Sequence, residues 1–306
     1  MNWFWFALIT LVCWSGSDLF SKLGCYDEDD KTAHLKMVIA VGAVMGLHAL
    51  YMVLFQGVEI SWAIIWRYLP VSLLYIVSMA LGYIGLRYIE LSVSSPICNS
   101  SGAIVALLCI FTGGLSSLEA NPVAVLCAVG LVCFGVIGLG MVEAREDEEL
   151  RARRQEHANR KYAKSWLAIC LPIAYCLLDA TGTFADSLVL ETLNEDSANV
   201  AYELTFFAAG VLCLAYFLLV RGGEFKPKQE RPKYLAAIFE TGGQLAYIYA
   251  LADEEHVMLS APIISAYCVL SAVWGRIFLK EKLSWKHYLM IALVVVGIVI
   301  LGIFDI

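Results

Sequence analysis

Charge is what this chain has least of. Lys, Arg, Asp and Glu make up 16% of its 306 residues, against about 25% in an average soluble domain. An ordinary water-soluble enzyme is excluded by that shortage, and 60% apolar residues exclude intrinsic disorder. Basic residues are in deficit too: 21 Lys and Arg face 28 Asp and Glu, a net charge of −7. A nucleic-acid binder would need a basic face. Ten cysteines occur, but none in CxxC or Cys/His metal spacing. Nine of them lie inside apolar stretches and read as small packing residues, so neither a disulfide framework nor a metal site is expected. No HExxH or GxSxG motif appears. No basic segment precedes the first apolar stretch, which opens Met1-Asn2-Trp3-Phe4-Trp5. That stretch reads as a retained span and not as a cleaved leader.

What is present is long apolar runs. Three stretches, 25–36, 144–164 and 221–233, hold 25 of the 49 charged residues. Between such breaks lie ten stretches near the roughly 20 residues that a membrane-crossing helix needs: 3–24, 34–55, 69–88, 93–114, 122–142, 165–189, 198–220, 234–252, 257–279 and 285–304. The runs are continuous, not alternating, which disfavours a β-barrel. The expectation is an all-α polytopic membrane protein. Trp3, Trp5, Trp62, Trp66, Trp166 and Trp285 fall near span ends, as interfacial aromatics do. Lys and Arg concentrate after odd-numbered spans, with only Arg67 after an even one. The positive-inside rule then predicts both termini outside a plasma (inner) membrane.

The chain also repeats itself. At an offset of 161, Trp5, Trp14 and Asp18 fall on Trp166, Tyr175 and Asp179. Ser94-Ser95-Pro96 falls on Ser260-Ala261-Pro262 at 166, and Gly135–Gly140 on Gly297–Gly302 at 162. Near-constant offsets predict two five-helix halves, 1–143 and 165–306, joined by a charged linker over 144–164. An odd number of spans in each half forces the halves into opposite orientations, the inverted-repeat plan of secondary transporters.

Gly85-Leu86-Arg87-Tyr88 followed by Leu91-Ser92-Val93-Ser94-Ser95-Pro96, with the turn Lys280-Glu281-Lys282-Leu283-Ser284, resembles the EamA family of the drug/metabolite transporter superfamily. The first half departs from the family's turn at Gly113–Glu119. The resemblance implies a ten-helix basket that moves small polar metabolites by alternating access. Amino acids, amines and similar compounds are the family's substrates.

An ionisable residue inside a span is a functional candidate. Asp179 lies deepest, one turn after Tyr175 and one before Thr183, with Asp186 on the same face. It must be carried neutral or be balanced by a cation, so proton coupling, cation binding and structural hydrogen bonding all remain open. Glu240 shares a stripe with Gln244 and Tyr247 beside Gly242-Gly243. Asp18 shares a face with Trp14 and Lys22, either as an Asp18–Lys22 pair or as a site carboxylate. Tyr202, Glu203 and Asn99 complete the substrate candidates, with Glu203 equally readable as an interfacial acid and His48 as a packing residue. Asp179 and Glu240 are the candidates for proton coupling, and Pro96 and Pro262 for gating. Carboxylates with aromatic neighbours suit an ammonium group, so a cationic or zwitterionic amine or amino acid is the expected substrate. A phosphorylated substrate would want Arg, Lys and helix N-termini. The alternatives are transport of an anionic metabolite, or a membrane receptor or scaffold that binds without transport. An aspartyl hydrolase built on Asp179 and Asp186 is disfavoured, because seven residues on one helix separate them by about 10 Å. No cofactor is expected. The partners are substrate, protons and lipid, and either a monomer or a homodimer fits.

Overall fold

In the computed structural model, residues 2–25, 30–88, 91–113, 122–145, 166–278 and 284–304 are described. All regular structure among them is helical: α1 Trp3–Cys25, α2 Ala33–Phe55, α3 Trp62–Tyr88, α4 Leu91–Cys98, α5 Ser101–Gly113, α6 Pro122–Ala144, α7 Trp166–Leu190, α8 Glu195–Ala215, α9 Pro227–Leu251, α10 Val257–Ser265, α11 Tyr267–Phe278 and α12 Trp285–Phe304. A π-helical turn, Tyr216–Val220, extends α8, and a 3-10 turn, Glu254–His256, precedes α10. These segments form ten rods, two of them interrupted, one between α4 and α5 and one between α10 and α11. Six stretches are long and apolar enough to cross a membrane by length and composition: Trp3–Cys25, Ala33–Phe55, Trp62–Leu86, Cys170–Leu190, Glu195–Val220 and Val257–Phe278. The protein is thus a polytopic, integral membrane protein.

Three rods begin three or more residues earlier than the sequence suggested, two of them by seven residues. α3 starts at Trp62, seven residues before position 69, and α9 at Pro227, seven before 234. In both, polar or amphipathic residues that read as loop continue the helix outward. Pro227 opens α9 at the position where a missing N–H costs nothing. α8 starts three residues early because Asn194 caps it, its side chain accepting from the backbone N–H of Asp196 at 3.1 Å and Ser197 at 3.3 Å. The linker beyond Arg145, the Gly114–Glu119 segment and residues 279–283 of the Lys280–Ser284 turn lie outside the described residues.

The principal packing partners are α1 with α9, α6 with α12, α2 with α8, α3 with α7, and α5 with α10. Small residues set the α2–α8 distance. A Cβ added at Gly42 would lie 2.8 Å from the Phe206 carbonyl oxygen and 3.0 Å from Gly210 Cα, so the backbones touch only because both positions are glycine.

Alternation of the rods defines two faces, the Cys25 face and the Trp3 face. At the Cys25 face the ends of α2 and α9 bury a four-charge cluster. Lys36 pairs with Asp30 and Glu230, each at 3.0 Å, and Lys233 pairs with Glu230 at 2.8 Å. The Lys36 ammonium also lies 5.3 Å from the ring centre of the fully buried Phe217. Asp30 precedes α2. Burial pushes its carboxyl up, but hydrogen bonds from Thr32 and Lys36 outweigh that and hold it below the usual aspartate range. At the Trp3 face Trp3 stacks on His256, Ser197 donates to the Glu59 carbonyl, and Arg67 bonds Thr192.

Candidate functional site

A cavity with about 700 Å³ of empty space, open mouth included, lies between α1, α3, α4, α7, α8, α9 and α11. Its inner end is walled by Trp14, Tyr75, Tyr202 and Gln244, and it reaches Ser21 and Leu86, close to the ends of α1 and α3 at the Cys25 face. A smaller cavity of about 320 Å³ adjoins it, sharing Trp14, Tyr175, Asp179 and Tyr267 and adding Asn99, Thr183, Tyr247 and Ser265.

Three carboxyl groups line the main cavity, and a serine hydroxyl holds each. Asp18 accepts from Ser95 at 2.7 Å and Ser271 at 2.8 Å. Asp179 accepts from Ser101 at 2.7 Å. Glu240 accepts from Ser17 at 2.7 Å. The helix breaks supply two of these donors: Ser101 opens α5 directly after the interruption at Asn99-Ser100, and Ser271 sits one turn into α11 after the interruption at Ala266. Each interruption follows a proline by three or four residues, Pro96 in α4 and Pro262 in α10. A helix with a proline loses a backbone bond at that turn, and here the freed turn brings a hydroxyl to a carboxylate.

Aromatic rings form the rest of the wall. Trp14 packs on Tyr247 with centroids 4.9 Å apart and edge-on to Tyr267 at 5.9 Å. Tyr75 meets Tyr202 edge-on at 5.9 Å. Among the described residues that line the main cavity there is no Lys, Arg or His. The Trp14 Nε1, Tyr83 Oη and Gln244 Nε2 atoms are buried and have no hydrogen-bond partner. The cavity therefore offers three acids, π-faces and spare neutral donors.

Of the residues named from sequence, Trp14, Asp18, Tyr175, Asp179, Tyr202, Glu240 and Gln244 meet in the main cavity, and Asn99 and Tyr247 in the adjoining one. Asp18 turns to Ser95 and Ser271, while Lys22 donates to the Leu86 carbonyl at 3.1 Å. Glu203 stands apart. It is fully buried between α8 and α2, 2.7 Å from His48 Nδ1, because successive residues on a helix face different sides and Tyr202 takes the cavity side. An interfacial acid does not describe Glu203, whereas His48 is a packing residue whose ring nitrogen is satisfied by that carboxylate. Sequence reasoning passed over Tyr75, Tyr83 and the serines Ser17, Ser95 and Ser271, while Ser101 and Tyr267 were readable either as helix glue or as cavity lining. Small hydroxyls in apolar helices are common, and nothing in their spacing distinguishes a carboxylate partner from a packing residue.

Comparison with known proteins places a likeness in the second half. Residues 166–303 match the model of the EamA-like transporter family. The chain also shares 36% identity over 70 residues with a probable 4-amino-4-deoxy-L-arabinose-phosphoundecaprenol flippase subunit, ArnE, of Hamiltonella defensa subsp. Acyrthosiphon pisum. That match covers 22% of this chain, which spans about 60% of the relative's length. A solved crystal structure superposes with a TM-score of 0.66 over 98% of this chain and 96% of its own, at 14% identity. At that identity the likeness concerns the fold. The shared fold extends over both halves of the described helices.

Proposed function

We propose that this EamA-like protein is a secondary transporter for a small organic cation or zwitterion bearing an amine, working by alternating access. The single observation that carries the substrate class is the charge balance of the main cavity: Asp18, Asp179 and Glu240 face it and, among the described residues, no base does. Carboxylates in a low-dielectric site carry a charge deficit that a bound cation cancels. The tyrosine and tryptophan faces add attraction for an ammonium. The spare donors of Trp14, Tyr83 and Gln244 suit an acceptor group elsewhere on the substrate. An amino-bearing substrate is also what the ArnE relative's name states for that protein.

Protons and substrate compete for the same carboxyl groups in this reading, so Asp179 and Glu240 couple the two. The helix breaks after Pro96 and Pro262 serve as the bending points. The halves 1–143 and 165–306 act as inverted repeats about the cavity. The Cys25 face, next to most of the Lys and Arg, is cytoplasmic, with both termini outside.

A thermal-shift and flux test uses tyramine and putrescine as cationic probes and glucose 6-phosphate as the anionic control. A ligand of the native state raises the melting temperature by mass action. Asp179→Asn and Glu240→Gln each remove a charge-assisted contact of about 1.5–3 kcal/mol, which is about 10- to 100-fold in affinity. Stabilisation by the phosphate ester alone, or unchanged tyramine binding and flux in both variants, refutes the assignment.

A further inference from the structure

Asp186 sits one wall beyond the main cavity. It is fully buried and lines neither cavity. Its Oδ1 accepts from the Tyr68 hydroxyl at 2.7 Å, and its Oδ2 lies 3.3 Å from the Tyr75 hydroxyl. The Tyr75 and Tyr247 hydroxyl oxygens are 2.5 Å apart, and Tyr247 donates to Thr183 at 2.8 Å. The two ends of this chain of hydroxyls point in opposite directions. Tyr75 is part of the main-cavity wall. Tyr68 lies less than two turns from the start of α3 at the Trp3 face, next to the exposed Arg67.

We propose that Asp186 is a proton-binding site of the transport cycle, loaded from the Trp3 face past Tyr68 and discharged into the cavity through Tyr75. The inference rests on the reading of the protein as a transporter. It adds a second protonation site, separate from the acids that hold the substrate.

Three features carry it. First, both protonation states of Asp186 are satisfied by the same partners. As a carboxylate it accepts from Tyr68 and Tyr75. As an acid it still accepts from Tyr68 and donates from Oδ2 to the Tyr75 oxygen, while Tyr75 turns its own proton to Tyr247 and Tyr247 donates to Thr183. A buried polar group is costly when unpaired, and here neither state leaves one. Second, the groups that face Asp186 are neutral: Tyr68 and Tyr75 from α3, Tyr247 from α9 and Tyr202 from α8. Of the charged groups around it, Asp179 lies about 10 Å along its own helix, and Arg67, next to Tyr68, is exposed and bonds Thr192. α4 and α5, also packed on α7, bring Cys98 and the hydroxyl of Ser101, both on the Asp179 side. No lysine or arginine sits against Asp186 among the described residues, so its charge has no fixed counter-ion. Third, a metal cation needs room for several oxygen ligands, and Asp186 lines neither of the two cavities described above. A proton needs none.

The step balances. On discharge, Asp186 Oδ2–H passes its proton to the Tyr75 oxygen as Tyr75 releases its own proton to water in the cavity. Tyr75 is unchanged, Asp186 becomes a carboxylate, and one proton has moved. Loading runs through Tyr68 in the same way when water reaches it from the Trp3 face.

The test has a substrate-free arm and a flux arm. Infrared difference spectra of the purified protein are recorded as pH is stepped, following the C=O stretch of protonated carboxyl groups. A titrating band is expected that is absent in Asp186→Asn, present in Asp179→Asn, and shifted in Tyr68→Phe, which removes one hydrogen bond from the same group. A spectrum unchanged by Asp186→Asn overturns the proposal, and the Tyr68→Phe shift keeps it testable if Asp186→Asn fails to fold. In proteoliposomes with tyramine as probe, Asp186→Asn should keep tyramine–tyramine exchange within about threefold of the wild type, as expected for sites about 10 Å apart. It should lose all acceleration by a pH gradient. Retained acceleration, or loss of exchange together with it, overturns the proposal. So does a sodium gradient that drives the wild type but not the variant. A wild type with no tyramine exchange rejects the amine reading instead, and the infrared arm still decides the role of Asp186.

Discussion

Replacing Lys36 by methionine tests whether the charge cluster at the Cys25 face holds α2 against α9. Methionine keeps the apolar stem that packs near Phe217 and removes only the ammonium. The wild-type cluster holds Lys36 and Lys233 against Asp30 and Glu230, two charges of each sign. Lys36→Met leaves two acids and one base in a place where Lys36, Lys233 and Glu230 side chains are each under 10% exposed. Breaking a buried pair by removing one partner costs about 3–5 kcal/mol. Asp30 is more exposed, at 14%, so it recovers some hydration, and the lower end applies. About 3 kcal/mol corresponds to roughly 6 °C in melting temperature for a chain of this size. Glu230→Gln alone leaves two bases and one acid and should lose a similar amount. The double variant Lys36→Met/Glu230→Gln restores one charge of each sign, Lys233 and Asp30, 3.9 Å apart. It should therefore melt above either single variant. The assay is thermal unfolding of all four proteins in one detergent. Additive losses in the double variant, or a Lys36→Met loss within error of zero, would refute the charge-balance reasoning.

Other outcomes follow from the same structure. Asp30 is held below the ordinary aspartate value of 3.8, so its contribution to stability is complete above that value and fades as pH falls through the lower folded value. Melting curves between pH 5 and pH 2 should show an acid-side loss that shrinks in Asp30→Asn. Gly102→Ala places a Cβ 2.7 Å from the Ala261 carbonyl oxygen at the crossing of α5 and α10, and also against Ser265. Overpacking of this kind costs about 1–3 kcal/mol, and adding Ser265→Ala should restore only part of it because the carbonyl stays. A full rescue would show that the side chain alone sets the crossing. His48→Ala leaves the fully buried Glu203 without its ring-nitrogen partner and should cost about 1–3 kcal/mol. Tyramine affinity should not change in that variant, because the pair faces away from the cavity.

The rods were legible because apolar length is a property of sequence alone. The described parts of all ten expected stretches are helical apart from the breaks near Asn99 and Ala266, and the errors concentrate where Trp62 to Tyr68 and Pro227 to Lys233 mix polar and apolar residues. Polarity there reported the edge of the membrane, not the end of the helix. Asp18, Asp179 and Glu240 were also legible, since an acid in an apolar helix is expensive enough to need a reason. Their partners were not. Ser17 reaches Glu240 across 223 positions and Ser271 reaches Asp18 across 253, and no local pattern encodes such pairings. Glu203 shows the reverse limit: the acid was visible, but its direction depended on α2 packing against α8 through Gly42 and Gly210. Asp186 drew attention only as a neighbour of Asp179, and its role depends on two tyrosines from another helix.

The tryptophans carry a consequence for how the protein sits in lipid. Among the described side chains, three exposed indoles, Trp5, Trp62 and Trp66, lie within the first turns of α1 and α3 at the Trp3 face, and one, Trp285, lies at the Cys25 face. Indoles anchor at the headgroup level, so of these described anchors three fix depth in one leaflet and one in the other. α3, 27 residues long, spans about 40 Å against a hydrocarbon core of about 30 Å. The surplus must be absorbed by tilt or by local deformation. With the Trp3 side pinned, a change in bilayer thickness is taken up mainly in the opposite leaflet, around the mouth of the cavity. Lipid chain length thereby becomes a mechanical input to the side from which the cavity is reached.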